Sequence, residues 1–321
     1  MKHNKYIFFL LFLFCFAQIT IAQDTYFREQ EKLLDDLSLT IVQGEADFVR
    51  YEANEKFLET LIYCLKIENS FKYPFDSIKA ISVLKSDDKK MRIFTWTVPK
   101  DDDSYEYFGI VQSYNDRNKN YDIHILTDKS DEITKAENKT LKKDFWYGAI
   151  YLDLIQTKYN GKTYYTLLGW DGHTAITNQR IIEVLSIKQN GTPYFGAAIF
   201  RGYESRVRRI IFTYSDKSNM LLQYDEQAYY YKTHKFLRKK KRIIKSKTTK
   251  MIIFDRLAPI DESLEGEFQF YVPETNIHDA FIPEKGKWRF TPMIDARNPE
   301  EDNIPIDNKN RTDDFELYNP E

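Results

Sequence analysis

Trp170, Asp171 and His173 are the residues of this chain whose types and spacing could do chemistry. An indole ring can stack on a sugar, while a carboxyl and an imidazole two positions apart offer an acid and a base. Asp171 and His173 are therefore candidate catalytic residues, and Trp170 a candidate binding residue, for hydrolysis of a glycoside or ester in a polymer. The simpler interpretation is an Asp-Gly turn whose aspartate bonds its own backbone.

Hydrolysis of a glycoside usually requires a second carboxyl group, about 5 to 9 Å from the first. Asp153 and Asp255 are the candidates that the sequence offers for this role. Their distance from Asp171 has to come from a structure.

The motifs that identify common enzymes are missing from the sequence. It contains no Gly-x-Ser-x-Gly elbow, Walker loop, His-Glu-x-x-His helix or Cys-x-x-Cys pair. The alternation of Asp116, Asn118, Asn120 and Asp122 is typical of a calcium loop, but tyrosine stands where that loop needs glycine and threonine where it needs glutamate. The sequence favours a binding protein over an enzyme and predicts neither a cofactor nor a metal.

A strongly basic stretch spans residues 232–250, which include ten basic residues and no acid. Its centre is the unbroken row Arg238, Lys239, Lys240, Lys241 and Arg242. One interpretation is a solvated loop or hairpin tip; the other is a contact with anionic lipid, an envelope polymer or an acidic partner. These five residues are candidate binding residues, and the predicted partner is an anionic envelope component or a protein.

The elements that would position these residues begin with a central hairpin. Ile150, Leu152 and Leu154 alternate along one face of a strand, and Asn160-Gly161 is the dipeptide that most readily forms a tight hairpin turn. The chain returns through the run 164–168. Both faces carry large apolar or aromatic side chains, so a second layer must cover the hairpin.

Short β-like runs with polar turns fill the sequence from Phe75 onward, and no long helical pattern interrupts them. The predicted class is α+β, mainly antiparallel: an N-terminal helical segment packed on a large irregular antiparallel sheet or two-layer β structure. A β-propeller-like arrangement is the alternative. Besides the central hairpin, the predicted strands are 78–84, 91–98, 105–114, 121–127, 180–187, 194–200, 207–214, 220–224, 251–255 and 267–272.

The N-terminus has the three parts of a secretory signal: basic Lys2 and Lys5, an apolar run, and small residues Thr20 and Ala22 before the cleavage point. We expect cleavage after Ala22 and a soluble protein in the periplasm or outside the cell. The alternative is an uncleaved anchor, but the apolar run is shorter than the roughly 20 residues that span a bilayer. Removal of Lys2 and Lys5 would leave 45 basic and 49 acidic residues, a charge of −4. This small charge does not favour nucleic acid as a partner.

The sequence divides into four segments. Residues 1–22 are the signal peptide, 23–70 the helical segment, 71–294 the β-rich domain, and 295–321 a tail with nine acids and three bases that we expect to be extended. Two apolar stripes predict a helical hairpin, and Cys64, beside the second stripe, is expected to be a buried free thiol. The stripes are Leu33, Leu34, Leu37 and Ile41, then Phe57, Leu58, Leu61, Ile62 and Leu65.

Several turn and aromatic positions resemble an uncharacterised family of exported bacterial proteins of unknown function. They are residues 164–172, Phe195-Gly196, Gly286-Lys287-Trp288 and Asp295-Ala296-Arg297. The resemblance implies export and a shared fold, and it brings no activity, ligand or catalytic residue with it.

Overall fold

The computed structural model describes the backbone of residues 2–233 and 243–294, and the side chains of residues 23–229 and 247–294. Two helices, α1 (Lys2–Gln43) and α2 (Asp47–Lys66), form the predicted N-terminal helical hairpin, and Gly44 lies between them. Leu34 and Ile41 are buried, as the stripe predicts, whereas Leu33 is 45% exposed. Leu33 precedes Leu34 by one residue, a rotation of about 100° around the helix axis, which turns its side chain out of the packed face.

Fifteen strands follow the helices in the described part of the chain. They are β1 (Ser82–Lys85), β2 (Met91–Pro99), β3 (Tyr105–Asn115), β4 (Asn120–Thr127), β5 (Leu141–Lys142), β6 (Ile150–Tyr159), β7 (Lys162–Thr174), β8 (Thr177–Ile187), β9 (Pro193–Phe195), β10 (Phe200–Arg201), β11 (Ile210–Ser215), β12 (Leu222–Thr233), β13 (Ile243–Pro259), β14 (Tyr271–Glu284) and β15 (Lys287–Ile294).

The strands form three sheets. The first has the order β1-β2-β3-β4; the central sheet has β5-β9-β8-β7-β6, with β11 also paired to β8; the third has β10-β15-β14-β13-β12. Among the described strands, every pair is antiparallel except β10 with β15. The predicted class, α+β with mainly antiparallel sheets, is therefore confirmed.

Four layers are stacked through three hydrophobic clusters. The helices pack on one face of the first sheet, where Phe57 meets Trp96. The other face of the first sheet packs on the central sheet around Trp146 and Tyr151, and the far face of the central sheet packs on the third sheet around Trp288. The predicted central hairpin, β6 and β7, thus lies in the middle layer and is covered on both faces.

Some strand boundaries differ from the sequence prediction. The predicted strand 194–200 is interrupted after Phe195, because Gly196 adopts a φ of 94° that strands do not allow. The predicted strand 267–272 begins as a short 3-10 turn, and β14 starts only at Tyr271. Strand β15 was not predicted at all.

Strands β12 and β13 are much longer than the predicted runs. They pair from Leu222↔Phe254 to Thr233↔Ile243, whereas the pairing of β13 with β14 stops at Ile252↔Phe281. The nine pairs from Asp225↔Met251 to Thr233↔Ile243 therefore form a two-stranded ribbon, which we call the arm. It extends about 30 Å beyond Ile252, the last residue of β13 on this side that pairs with β14.

Cys64 is a buried free thiol, as its position beside the second stripe predicts. Burial raises its pKa to about 11, so the thiol stays protonated at neutral pH and is unsuited to nucleophilic chemistry. Where the side chains are described, no helix is long and apolar enough to cross a membrane.

Candidate functional site

Asp171 and His173 lie near the end of β7, where its pairing with β8 is irregular. Oδ1 of Asp171 accepts a hydrogen bond from the backbone N–H of His173 at 2.8 Å, and His173 has a φ of 33°. The pairing of the two strands shifts register between Asp171 and Thr174. Asp171 thus bonds to nearby backbone, as the simpler interpretation of the sequence predicts, but it does so at an irregularity within β7, and the turn to β8 follows at residues 175–176.

The Asp171 carboxyl is buried against the first sheet, with 3% of the residue exposed. The hydroxyl of Tyr107, in β3, accepts a hydrogen bond from the Gly172 N–H at 2.6 Å and also bonds to Asp171. Burial raises the pKa of Asp171 to about 6. The hydrogen bonds from the His173 amide and the Tyr107 hydroxyl oppose this rise. A carboxyl with this pKa can hold a proton in mildly acidic solution.

Trp170, Asp171 and His173 make different contacts. Trp170 is partly buried and packs edge-on against Tyr105, with ring centroids 5.6 Å apart, and the adjoining backbone of Gly172 is also in contact with Tyr105. His173 is exposed. The three predicted residues are thus close in the chain but face different surroundings.

Neither predicted second carboxyl faces Asp171. Asp255, in β13, bonds to Nδ1 of His278 at 2.8 Å and accepts from the Leu221 N–H at 2.7 Å, all within the third sheet. Burial raises the pKa of Tyr224, which also belongs to the third sheet, and the charge of Asp153 adds to this rise, so Asp153 lies on the side of the central sheet that faces the third sheet. Asp171 lies on the opposite side of the central sheet, and the carboxylates that raise its pKa are Asp128 and Asp131.

The predicted binding residues Arg238, Lys239, Lys240, Lys241 and Arg242 lie outside the described residues. The chain on either side of them is described, because Thr233 and Ile243 form the last pair of the arm. The basic row therefore connects the two strands of the arm.

A cleft of about 810 Å³ lies at the other end of the central hairpin from Asp171. It is formed around the turn between β6 and β7 and the turn between β8 and β9, which lie at the same end of the sheet. Asp171 follows Lys162 by nine positions along β7, which places the cleft roughly 30 Å from Asp171. We call it the basic cleft.

The charges of the basic cleft are strongly unequal. Its lining contains one acid, Asp116, and five cations: Lys90, Arg117, Lys162, Lys188 and Arg208. Lys90 pairs with Asp116 at 2.7 Å. The other four cations have no ion pair within the described part of the chain, so their charges are available to a ligand.

Tyrosine rings lie among these cations. In the central sheet, Ser186 of β8 lies opposite Tyr194 of β9. On the β7 side, the pair Tyr165↔Leu185 continues so that Ser186 lies opposite Tyr164. Tyr164 and Tyr194 are both partly buried and share one face of the sheet with the short Ser186 between them. The Nζ of Lys188 lies 5.0 Å from the centre of the Tyr194 ring.

A buried ion pair fixes one wall of the basic cleft. Nε of Arg209 donates to Oε2 of Glu183 at 2.7 Å, and both side chains are fully buried. The same guanidinium donates to the carbonyls of Ala136 and Lys139, while the amide of Arg208 donates to the carbonyl of Glu137 at 2.7 Å. Arg208 then donates to the Thr140 hydroxyl at 3.0 Å, inside the cleft.

Gly196 is required where this wall meets β9. Its φ is 94°, and a Cβ at this position would lie 2.4 Å from the Lys139 carbonyl oxygen and 3.0 Å from Nη2 of Arg209. Only glycine fits this close approach of two backbone segments.

Sequence reasoning missed the basic cleft, although part of its signal was present. Lys162 follows Asn160-Gly161, and Lys188 precedes Asn190-Gly191. Both lysines therefore lie at Asn-Gly turns, and two successive hairpins of one antiparallel sheet place these turns at the same end. The contribution of Arg117 and Arg208 could not be seen, since it depends on how loops from other parts of the chain meet.

Comparison of the chain with protein-family models, with curated proteins and with solved structures finds no match. Among the described residues, no group of three or more His, Cys, Asp or Glu side chains could hold a metal ion. The site must be interpreted from its own geometry.

Proposed function

We propose that this protein is an exported, non-catalytic binding protein that associates with an anionic component of the cell envelope through the basic cleft. The observation that carries the proposal is the set of four cations, Arg117, Lys162, Lys188 and Arg208, that line one cleft without an ion pair in the described chain. A concave surface of one sign of charge attracts and retains ligands of the opposite sign.

The arm supports the same function. It carries the basic row Arg238–Arg242 between its two strands, and that row adds five positive charges over five residues. A second cationic segment in a protein whose total charge is near zero favours contact with a polyanion.

Co-sedimentation with envelope fragments or anionic vesicles tests the proposal. The purified protein should sediment with them at low salt and be released at high salt, because salt screens exposed charges. The double variant Lys162→Gln/Lys188→Gln should bind about tenfold more weakly, since each exposed ion pair contributes up to about 1 kcal/mol.

The matched control is Lys32→Gln/Lys79→Gln, which removes two exposed lysines that do not line the cleft. Equal losses in the two double variants would mean that only total charge matters and that the cleft is not the site. No sedimentation of the unmodified protein would refute the proposal.

Export is a separate part of the proposal, supported by the segment from Lys2 to Ala22. Intact-mass measurement of the native protein should give a chain that starts at Gln23. A mass that retains residues 1–22, or that includes a lipid, would contradict it.

A hydrolase acting on an envelope or dietary polymer is the second candidate function. It is favoured by the raised pKa of Asp171, about 6, which suits a proton donor, beside an exposed imidazole at His173. A polymer-hydrolysis screen should then detect activity that Asp171→Asn abolishes. Activity unaffected by this substitution would exclude the turn as the catalytic site.

A further inference from the structure

We infer that the ligand of the basic cleft is an acidic polysaccharide, whose sugar rings contact the tyrosines and whose carboxylates pair with the free cations. The inference rests on the proposed function and goes further by assigning the chemical class of the ligand. Three features of the cleft lead to it: its aromatic rings, its neutral polar groups and the distribution of its charges.

Tyr164 and Tyr194 form a shallow platform. They lie two strands apart, about 10 Å between backbones, with Ser186 between them on the same face. Partly buried rings held in a rigid sheet are suited to contact the apolar face of a sugar ring. Their hydroxyls, which have no hydrogen-bond partner among the described residues, can bond to its oxygens.

The neutral side chains of the cleft are hydrogen-bonding groups, which match a ligand rich in hydroxyls. They are Thr140, Thr163, Ser186, Gln189 and Asn190. Among the described residues of the lining, only Ile187 and Ala197 are aliphatic. The apolar part of the wall is therefore mainly aromatic and offers few aliphatic groups to a lipid acyl chain, which argues against a lipid as the ligand.

The free cations come from separate stretches of chain. Arg117 belongs to the turn after β3, Lys162 and Lys188 to two turns of the central sheet, and Arg208 to the segment before β11. A compact phosphate is usually held by converging backbone N–H groups at a nest or a helix N-terminus. Charges spread around a cleft instead suit an anion that repeats along a polymer.

Calorimetric titration of the purified protein with three polymers of matched length tests the inference: polygalacturonate, linear polyphosphate and neutral dextran. We expect polygalacturonate to bind most tightly, in spite of the higher charge density of polyphosphate, and dextran to bind at least tenfold more weakly than polygalacturonate. This ranking is measured on the unmodified protein and does not depend on a variant that folds.

Substitution of Tyr194 separates ring contact from charge. Tyr194→Leu should weaken polygalacturonate binding about three- to tenfold and leave polyphosphate binding within twofold, while Tyr194→Phe retains the ring and the affinity. Lys162→Gln/Lys188→Gln should weaken both polyanions.

The possible failures can be told apart. If polyphosphate binds as tightly as polygalacturonate and Tyr194→Leu changes neither, the polysaccharide inference is overturned while the anion-binding function stands. If dextran binds as tightly as polygalacturonate, the role of the cations is overturned. If no polyanion binds, both the inference and the proposed function fail.

Discussion

Arg209 and Glu183 form an ion pair at 2.7 Å that is completely enclosed by protein. Burial raises the pKa of Glu183, and the Arg209 guanidinium opposes that rise. The pair also links three parts of the chain. Glu183 belongs to β8, Arg209 lies just before β11, and the Arg209 guanidinium donates hydrogen bonds to the carbonyls of Ala136 and Lys139. The wall of the basic cleft that carries Arg208 depends on this arrangement.

Removal of one partner of this pair should be strongly destabilising. Glu183→Leu leaves an uncompensated buried guanidinium, so the free energy of unfolding should fall by about 3 to 5 kcal/mol in urea denaturation. The double variant Glu183→Leu/Arg209→Met removes both charges and should be more stable than Glu183→Leu alone. A single variant as stable as the unmodified protein would mean that the pair is not buried.

Asp171 should make stability depend on pH. Its folded pKa of about 6 lies above its ordinary value of 3.8, so between these values the folded state holds a proton that the unfolded state has lost. The raised pKa of Asp171 therefore contributes roughly 3 kcal/mol to the free energy of unfolding at low pH. This contribution is fully present below about pH 4 and is lost as the pH rises through 6.

Asp171→Asn keeps an oxygen for the His173 amide but cannot ionise. Its free energy of unfolding should therefore lack this decline, and the variant should be more stable than the unmodified protein at pH 8. Urea denaturation of both proteins between pH 4 and pH 8 measures the difference. Parallel profiles for the two proteins would show that Asp171 titrates normally.

Tyr107 provides the acceptor for the buried Gly172 amide at 2.6 Å. Tyr107→Phe leaves that N–H without a partner and should lower the free energy of unfolding by about 1 to 3 kcal/mol. Tyr105→Phe removes a hydroxyl from an exposed ring nearby and should change stability by less than about 0.5 kcal/mol. Thermal and urea denaturation of the two variants give the comparison.

Gly196→Ala should distort the wall of the basic cleft. Its Cβ would clash with the Lys139 carbonyl, so both stability and polyanion binding should decrease, the first by about 2 kcal/mol or more. Gly202→Ala is the matched control, since Gly202 also has a positive φ, 74°, but has no heavy atom within 4 Å of the added methyl. It should lose only about 1 kcal/mol and bind normally.

The parts of the fold that could be predicted from the sequence depend on local rules. Asn160-Gly161 specifies a tight turn, and the alternation at Ile150, Leu152 and Leu154 specifies a strand, whatever the rest of the chain does. The α+β class follows from many such local signals. The Asp-Gly turn predicted at Asp171 is misplaced, because β7 continues to Thr174 through an irregularity in its pairing and the turn lies at residues 175–176.

The arm and the basic cleft could not be predicted in this way. Strands β12 and β13 extend through residues such as Glu226, Lys247 and Lys250, whose polarity is typical of loops, because cross-strand pairing overrides the local preference. The cleft needs Arg117, Lys188 and Arg208 to meet from distant parts of the sequence, and no periodicity records such a meeting.

The arm has a consequence for the length of ligand that this protein can use. A polymer that occupies the basic cleft and also contacts the arm, a ribbon about 30 Å long, would engage two separate parts of the protein. Short oligomers would engage one contact at a time. Chains long enough to bridge both would gain avidity from the second contact without any change in composition, so affinity should rise steeply above a threshold length.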